Sequence, residues 1–254
     1  MMAELKILKK VGHHPNIVNL IGACTSLDGP LCVVTELVSG GDLLNYLRAN
    51  RREKSQEYIN ISPPVCEKDM LQIALDVAEG MKHISGLALV HRDLAARNIL
   101  LTSRGIAKIT DFGLSRSVYT EGIYHKTSQG RLPLKWMALE SIEQFVFTTK
   151  SDVWSFGVLL WEIHTFGGFP YPEIPVGFLL PRLSAGYRLP KPSHCKDPLY
   201  DVMLSCWNED PDSRPDFGAL TVTLRSMVMK TTDDYVNLCE DVSRFVEHET
   251  LESK

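Results

Sequence analysis

Asp93 and Asn98 stand in the run His91-Arg92-Asp93-Leu94-Ala95-Ala96-Arg97-Asn98, and Asp111 follows in Asp111-Phe112-Gly113. A carboxylate, a side-chain amide and a second carboxylate in a glycine-ended turn supply hard oxygen ligands. Mg²⁺ is commonly held by one or two such groups and completes its shell with water and phosphate oxygens. The chemistry open to this set is transfer of a phosphoryl group to a hydroxyl. Asp93 would take the hydroxyl proton, while Asn98 and Asp111 would hold Mg²⁺ against the phosphates. His91 reads as a core histidine that supports this loop beside Phe112, not as an acid or base.

Several elements must position these residues. Leu5, Ile7 and Leu8 against Glu4, Lys6, Lys9 and Lys10 predict an amphipathic helix over 2–11, ended by Gly12. His13-His14-Pro15-Asn16 is a turn. Two apolar runs, Ile17–Cys24 and Leu31–Glu36, are split by Asp28-Gly29-Pro30 and read as a hairpin. Ser39-Gly40-Gly41 is a connector, and Asp42 caps a helix carrying Leu43, Leu44, Tyr46 and Leu47. Residues 49–66 are polar and end in Pro63-Pro64, which marks an insert. Met70, Ile73, Ala74, Val77, Met81 and Ile84 predict a long core helix over 67–85 that leads into His91–Asn98. Beyond Gly113 the chain is irregular to Met137. Ser151 is expected to start an apolar helix, Val153–Thr165, buried on most sides. Shorter helices are expected near 176–183, 199–206 and 217–229, before an acidic tail.

The chain has 254 residues, 44% apolar and 23% charged, with net charge −4. That suits one globular unit or two lobes sharing a core. Arg48, Arg51, Arg52 and Lys54 form the densest basic cluster and read as a solvated helix end, so no nucleic-acid partner is expected. No apolar run reaches the ~18–20 residues of a membrane span, and the charged N-terminus is not a signal peptide. The six cysteines form no Cys-x-x-Cys pair and read as reduced thiols. Asn60-Ile61-Ser62 matches a glycosylation pattern that a cytosolic setting would leave unused.

His-Arg-Asp-x-x-x-x-Asn followed by Asp-Phe-Gly resembles the catalytic signature of protein kinases. Ala95-Ala96-Arg97, where serine/threonine kinases usually place a Lys two residues after the Asp, is similar to the tyrosine kinases. So is Leu132-Pro133-Leu134-Lys135-Trp136-Met137, like the platform on which they rest the substrate ring. Asn16-Ile17-Val18-Asn19-Leu20-Ile21-Gly22-Ala23-Cys24-Thr25 carries a likeness to receptor tyrosine kinases of the fibroblast, vascular-endothelial and stem-cell growth-factor receptor groups.

The resemblance implies an α+β, protein-kinase-like bilobal fold. Residues 1–38 would be small-lobe remnant and 39–230 the large lobe with its insert at about 49–66. Residues 231–254 would be a C-terminal tail. It implies ATP and Mg²⁺ as cofactors, Asp93, Arg97 and Asn98 as catalytic residues, and Asn98 and Asp111 as metal ligands. Thr35, Glu36, Val38, Leu100 and Glu4 would serve the nucleotide. Thr35 would guard the back of the adenine pocket, Glu36 and Val38 would bond adenine through the backbone, and Leu100 would form its floor. Glu4 would pair with the ATP-positioning Lys. Glu140, in Ala138-Leu139-Glu140 where Ala-Pro-Glu is usual, would pair with Arg214. Asp152 would accept hydrogen bonds from the catalytic-loop backbone. Tyr119 and Tyr124 would be regulatory phosphosites near Arg92 or Arg116. Tyr58 and Tyr235, each in a Tyr-x-Asn form, would be docking sites for phosphotyrosine-binding adaptors. Tyrosine-bearing protein substrates, a receptor dimer partner and a place at the cytoplasmic side of the plasma membrane in a single-pass receptor follow from the same likeness.

The likeness spans residues 2–230, but no Gly-x-Gly-x-x-Gly and no Val-Ala-x-Lys precede Glu4. About 45 residues of small lobe are therefore expected to be absent by the family's layout. A truncated, non-catalytic signalling product is the alternative expectation.

Overall fold

Helix α1, Met2–Val11, turns Leu5, Ile7, Leu8 and Val11 into the core and leaves Lys6, Lys9 and Lys10 in solvent, as the spacing predicts. Gly12 ends it with φ +68°, a left-handed conformation that glycine adopts without a Cβ clash. The computed structural model of the protein describes residues 2–25, 29, 32–51, 65–117 and 132–231. Tyr58, Tyr119, Tyr124 and Tyr235, with most of the insert and the acidic tail, lie outside the described residues.

Strands β1 (Leu20–Cys24) and β2 (Cys32–Thr35) form an antiparallel pair, with Gly22 opposite Val34, Ala23 opposite Val33 and Cys24 opposite Cys32. The first strand is shorter than its apolar run because the run divides its hydrogen bonds. The Val18 N–H donates to the Ile109 carbonyl at 2.9 Å, and the Ile109 N–H donates to Asn16 at 2.9 Å. Residues 16–18 thus belong to the larger, helical part of the chain rather than to the hairpin.

Helix α2 (Leu43–Ala49) starts at Asp42, whose carboxylate accepts from the Asn45 N–H at 2.8 Å. Helix α3 (Glu67–Gly86) buries Met70, Ile73, Ala74, Val77, Met81 and Ile84, the expected stripe. Three short strands follow, β3 (Leu89–Val90), β4 (Ile99–Leu101) and β5 (Ala107–Ile109); α3 packs against β3 and β5, and β4 and β5 pair antiparallel. A further strand, β6 (Arg116–Ser117), pairs with β3. None of these four strands is visible as an alternating pattern, because each is two or three residues long. α3 covers β3 and β5, and α5 also packs on β3, whereas β6 is Arg-Ser and carries no apolar residue.

Helix α4 is Leu139–Glu143. Helix α5, Thr149–His164, is buried on nearly every side, including Trp154, Phe156, Leu159, Leu160 and Ile163. It starts earlier than expected. Thr148 is the cap and Ser151 is the reciprocal residue of a capping box, with the Thr148 N–H donating to Ser151 Oγ at 3.0 Å. Helices α6 (Val176–Ser184), α7 (Asp197–Cys206) and α8 (217–231) complete the helical part, with α7 packed along α5. The result is the expected α+β layout: one helix and a hairpin at one end, joined to a larger helical body.

Candidate active site

The loop after β3 is held from below by the one carboxylate at the start of α5. Asp152 Oδ2 accepts from the His91 N–H at 2.7 Å, and Oδ1 accepts from the Arg92 N–H at 2.9 Å. Arg92 sits at φ +70°, a strained conformation for a side chain of its size. The pair of bonds from Asp152 offsets that strain. Burial pushes the Asp152 carboxyl up to about 7, against the pull of the two N–H donors.

His91 is fully buried and its roles are fixed by its two neighbours. Nδ1 accepts from the Asp93 N–H at 3.3 Å, so the proton is on Nε2, which donates to the Thr110 carbonyl at 3.1 Å. Burial holds His91 below the ordinary imidazole range, so the ring is a neutral strut. Phe112 packs against it edge-on at 5.2 Å. One imidazole therefore ties the Asp93 segment to the segment that carries Asp111.

Asp93 projects from this frame, and the Arg97 guanidinium reaches back to its carboxylate. Asn98 Nδ2 donates to the Asp93 carbonyl at 2.7 Å, which commits the donor end of the amide and leaves Oδ1 as its acceptor end. The Thr110 N–H donates to the Asn98 carbonyl at 3.0 Å, bringing the ends of β4 and β5 together. Asp111 follows at φ +60°, exposed, with its Oδ1 accepting from the Gly113 N–H at 3.2 Å. Asp93, Arg97, Asn98 and Asp111 are thus gathered at one edge of the helical body. The amide oxygen and the exposed carboxylate are hard donors that suit Mg²⁺ sharing its shell with phosphate.

Glu162, which the motif left unmarked, organises the other side. Its buried Oε2 accepts from the Ala96 N–H at 3.0 Å and from Trp136 Nε1 at 2.9 Å. Burial pushes its carboxyl up to about 7. Arg97 lies 4.5 Å over the Trp136 ring, so loop, guanidinium and indole form one stack. Lys135 donates to the Tyr171 carbonyl at 2.5 Å and lies 4.6 Å over the Phe169 ring. Burial lowers its pKa. The sequence shows Glu162 only as an acidic side chain near the end of an otherwise apolar helix.

One long-range pair lies as expected. The Glu140 carboxylate receives both Arg214 amines, at 2.7 and 2.9 Å. The Arg214 side chain is fully buried, and it also donates to the Asn208 carbonyl at 2.8 Å. Such a pair fixes the geometry of the segment after the platform more than it adds stability.

The connector residues run from β2 to α2. Glu36 Oε1 accepts from the Asn19 N–H at 2.8 Å, from Asn19 Nδ2 at 2.7 Å and from Lys108 Nζ at 2.8 Å. Burial opposes ionisation of Glu36, and the bonds from Lys108 and Asn19 together outweigh it, so the carboxyl titrates below its usual range. Thr35 is exposed, Leu37 more so, and Val38 half-buried. The next residues return to β4: the Gly40 N–H donates to the Leu101 carbonyl at 2.8 Å, and Leu101 N–H to Gly41 at 2.9 Å. A Cβ on Gly40 would lie 2.4 Å from the Leu101 oxygen, so only glycine permits this approach. Leu100 is half-buried between buried Ile99 and Leu101, and its backbone bridges to Asp42 at the end of the connector. Glu4 is half-buried in the first turn of α1, away from the Asp93 group in sequence and element.

A family model described as protein tyrosine and serine/threonine kinase matches residues 1–224. Fibroblast growth factor receptor 1 of Pleurodeles waltl is 45% identical over 251 residues, covering 96% of this chain and 30% of that protein. The receptor of the same name from Xenopus laevis is 44% identical over 253 residues, covering 96% of this chain and 31% of that protein. The chain thus spans less than a third of the length of these relatives.

Proposed function

The chain belongs to the protein tyrosine and serine/threonine kinase family, and from that premise we propose that it is the catalytic part of a receptor that phosphorylates tyrosine in proteins. The observation that carries the choice of tyrosine is the Asp93–Arg97–Trp136 stack held by Glu162. Ala95 leaves space where a Lys would otherwise stand, and Arg97 supplies the positive charge from the platform side. A phenol, longer than a serine hydroxyl, can then lie over the platform with its oxygen at Asp93.

The residues divide the work as follows. ATP and Mg²⁺, when bound, supply the phosphoryl group and neutralise charge on the phosphates. Asn98 and Asp111 would hold the metal. Asp93 would accept the proton of the phenol as the phenol oxygen bonds to the γ-phosphorus and the bond to the departing ADP breaks, and Arg97 would keep the carboxylate oriented. Glu36 and Val38 would hold adenine through their backbone, Leu100 would lie under it, Thr35 would limit its depth, and Glu4 would pair with the phosphate-positioning lysine of a Val-Ala-x-Lys strand that these 254 residues do not include. Residues 1–38 are the small-lobe part, 39–230 the large lobe and 231–254 the tail.

Phosphorylation of Tyr119 and Tyr124 would add charge for Arg92 or Arg116 to meet. Tyr58 and Tyr235 would recruit phosphotyrosine-binding adaptors. A receptor dimer at the cytoplasmic face of the plasma membrane fits the likeness to growth factor receptors. No helix among the described residues is long and apolar enough to cross a membrane.

The test is transfer from Mg-ATP to peptides that carry tyrosine, serine or threonine as the acceptor, using the intact receptor isolated from cells. Tyrosine alone should be labelled. Asp93→Asn, which keeps the shape and removes the proton acceptor, should lower the rate by at least about 100-fold. Equal transfer by the variant would overturn the assignment of Asp93.

A further inference from the structure

Cys24 and Cys32 face each other on the last described rung of the β1–β2 ladder, one at the end of its strand and the other at the start of the next. Both are free thiols, Cys32 exposed and Cys24 half-buried. Directly opposed residues of an antiparallel pair point to the same face, with Cα atoms about 4.5 or 5.5 Å apart according to the type of rung. Either separation falls within the about 4.4–6.8 Å that a disulfide spans. The register therefore sets the two thiols on one face at a Cα separation that a disulfide can span.

We propose that Cys24 and Cys32 are a thiol pair that closes to a reversible cross-strand disulfide by exchange with a glutathione-type disulfide. The exposed Cys32 thiolate attacks one sulfur of glutathione disulfide. That S–S bond breaks, and one glutathione leaves as its thiolate. The Cys24 thiolate then attacks Cys32 Sγ, breaks the mixed disulfide and releases the second glutathione. Two protein thiols are oxidised and one glutathione disulfide is reduced to two thiols, which take up the two protons that the cysteines lost. The register favours the second step, because the attacking thiol is already opposite its target, whereas free glutathione must be recruited from solution. Closure pins the start of β2, the strand that runs into Thr35 and the connector at Glu36. It is thus a modification site on the small hairpin, remote from Asp93.

The chain carries its own references. Cys66 is half-buried and sits at the start of α3. Cys195 and Cys206 are buried, and burial pushes their thiols up to about 11 and about 12. The folded protein is incubated with glutathione disulfide, quenched with an alkylating reagent and mapped by peptide mass spectrometry. The expected product is a Cys24–Cys32 linked peptide, lighter by two hydrogens, with slower amide exchange across Leu20–Cys24 and Cys32–Thr35. Cys66 should carry at most a mixed adduct, and Cys195 and Cys206 should be alkylated only after unfolding. In Cys24→Ser the second step is blocked, so glutathione should accumulate on Cys32 to about tenfold above wild type. Equal adduct on Cys32 in wild type and Cys24→Ser would overturn the proposal. So would the absence of a linked peptide under conditions that modify Cys66.

Discussion

Glu162 joins the catalytic loop at Ala96 to the platform at Trp136 through a single buried oxygen, and that burial makes the junction sensitive to pH. With its carboxyl pushed up to about 7, the folded chain holds a proton that the unfolded chain releases near the ordinary glutamate value. The stability this contributes is present at acidic pH and is lost as pH rises toward and through about 7. In Glu162→Gln this contribution disappears. Between about pH 5 and pH 7.5 the wild type should therefore lose up to about 3 kcal/mol relative to the variant, read by urea denaturation at both values. A difference that is flat across the window would show that the two N–H donors already ionise the carboxylate. Asp152 shifts in the same direction for the same reason, so the comparison needs the Glu162→Gln background to isolate one group. The motif residues Asp93, Asn98 and Asp111 could be picked out by type and spacing. Glu162 could not, because its significance depends on two donors 66 and 26 positions away.

At the scale of elements, the join between the front segment and α3 decides how closely the two parts approach. A Cβ on Gly80 would lie 2.7 Å from the Ile109 side chain and 2.9 Å from the Asn16 carbonyl. His14 stacks on His83 at 4.9 Å, and His83 Nε2 donates to the Val11 carbonyl at 2.8 Å. Alanine favours a helix over glycine by about 1 kcal/mol, yet Gly80→Ala should destabilise the protein by about 1–3 kcal/mol, because the backbone at Asn16 must move. Thermal unfolding checks the sign, and a stabilised variant would mean that the contact gives way freely. The long amphipathic helices α1 and α3 followed from their apolar spacing. The start of α5 did not: Ser151 was expected to lead, and the cap is Thr148, since both residues can cap and only their mutual hydrogen bonds settle the order.

For the whole molecule, the Asn19–Glu36–Lys108 cluster ties the end of the loop before β1, the connector and β5 into one unit. It fixes where the hairpin stands over the helical body, but no Gly-x-Gly-x-x-Gly lies within these 254 residues to cover the phosphates. The 254 residues by themselves should therefore bind Mg-ATP poorly or not at all by titration calorimetry. Micromolar affinity would show that the connector, Leu100 and the metal ligands suffice. The sequence by itself determined the family signature, with Asp93, Asn98 and Asp111 at its spacing and Ala95 and Arg97 between them, and the helices whose periodic apolar faces need a core. Those follow from residue type and local spacing, which are properties of a short stretch of chain. Only the tertiary structure decided that Glu162 braces the platform, that residues 16–18 belong to β5 rather than to the hairpin, and that Cys24 meets Cys32. Each depends on a partner brought close by packing, and the pattern of one segment carries no record of the segment that packing sets beside it.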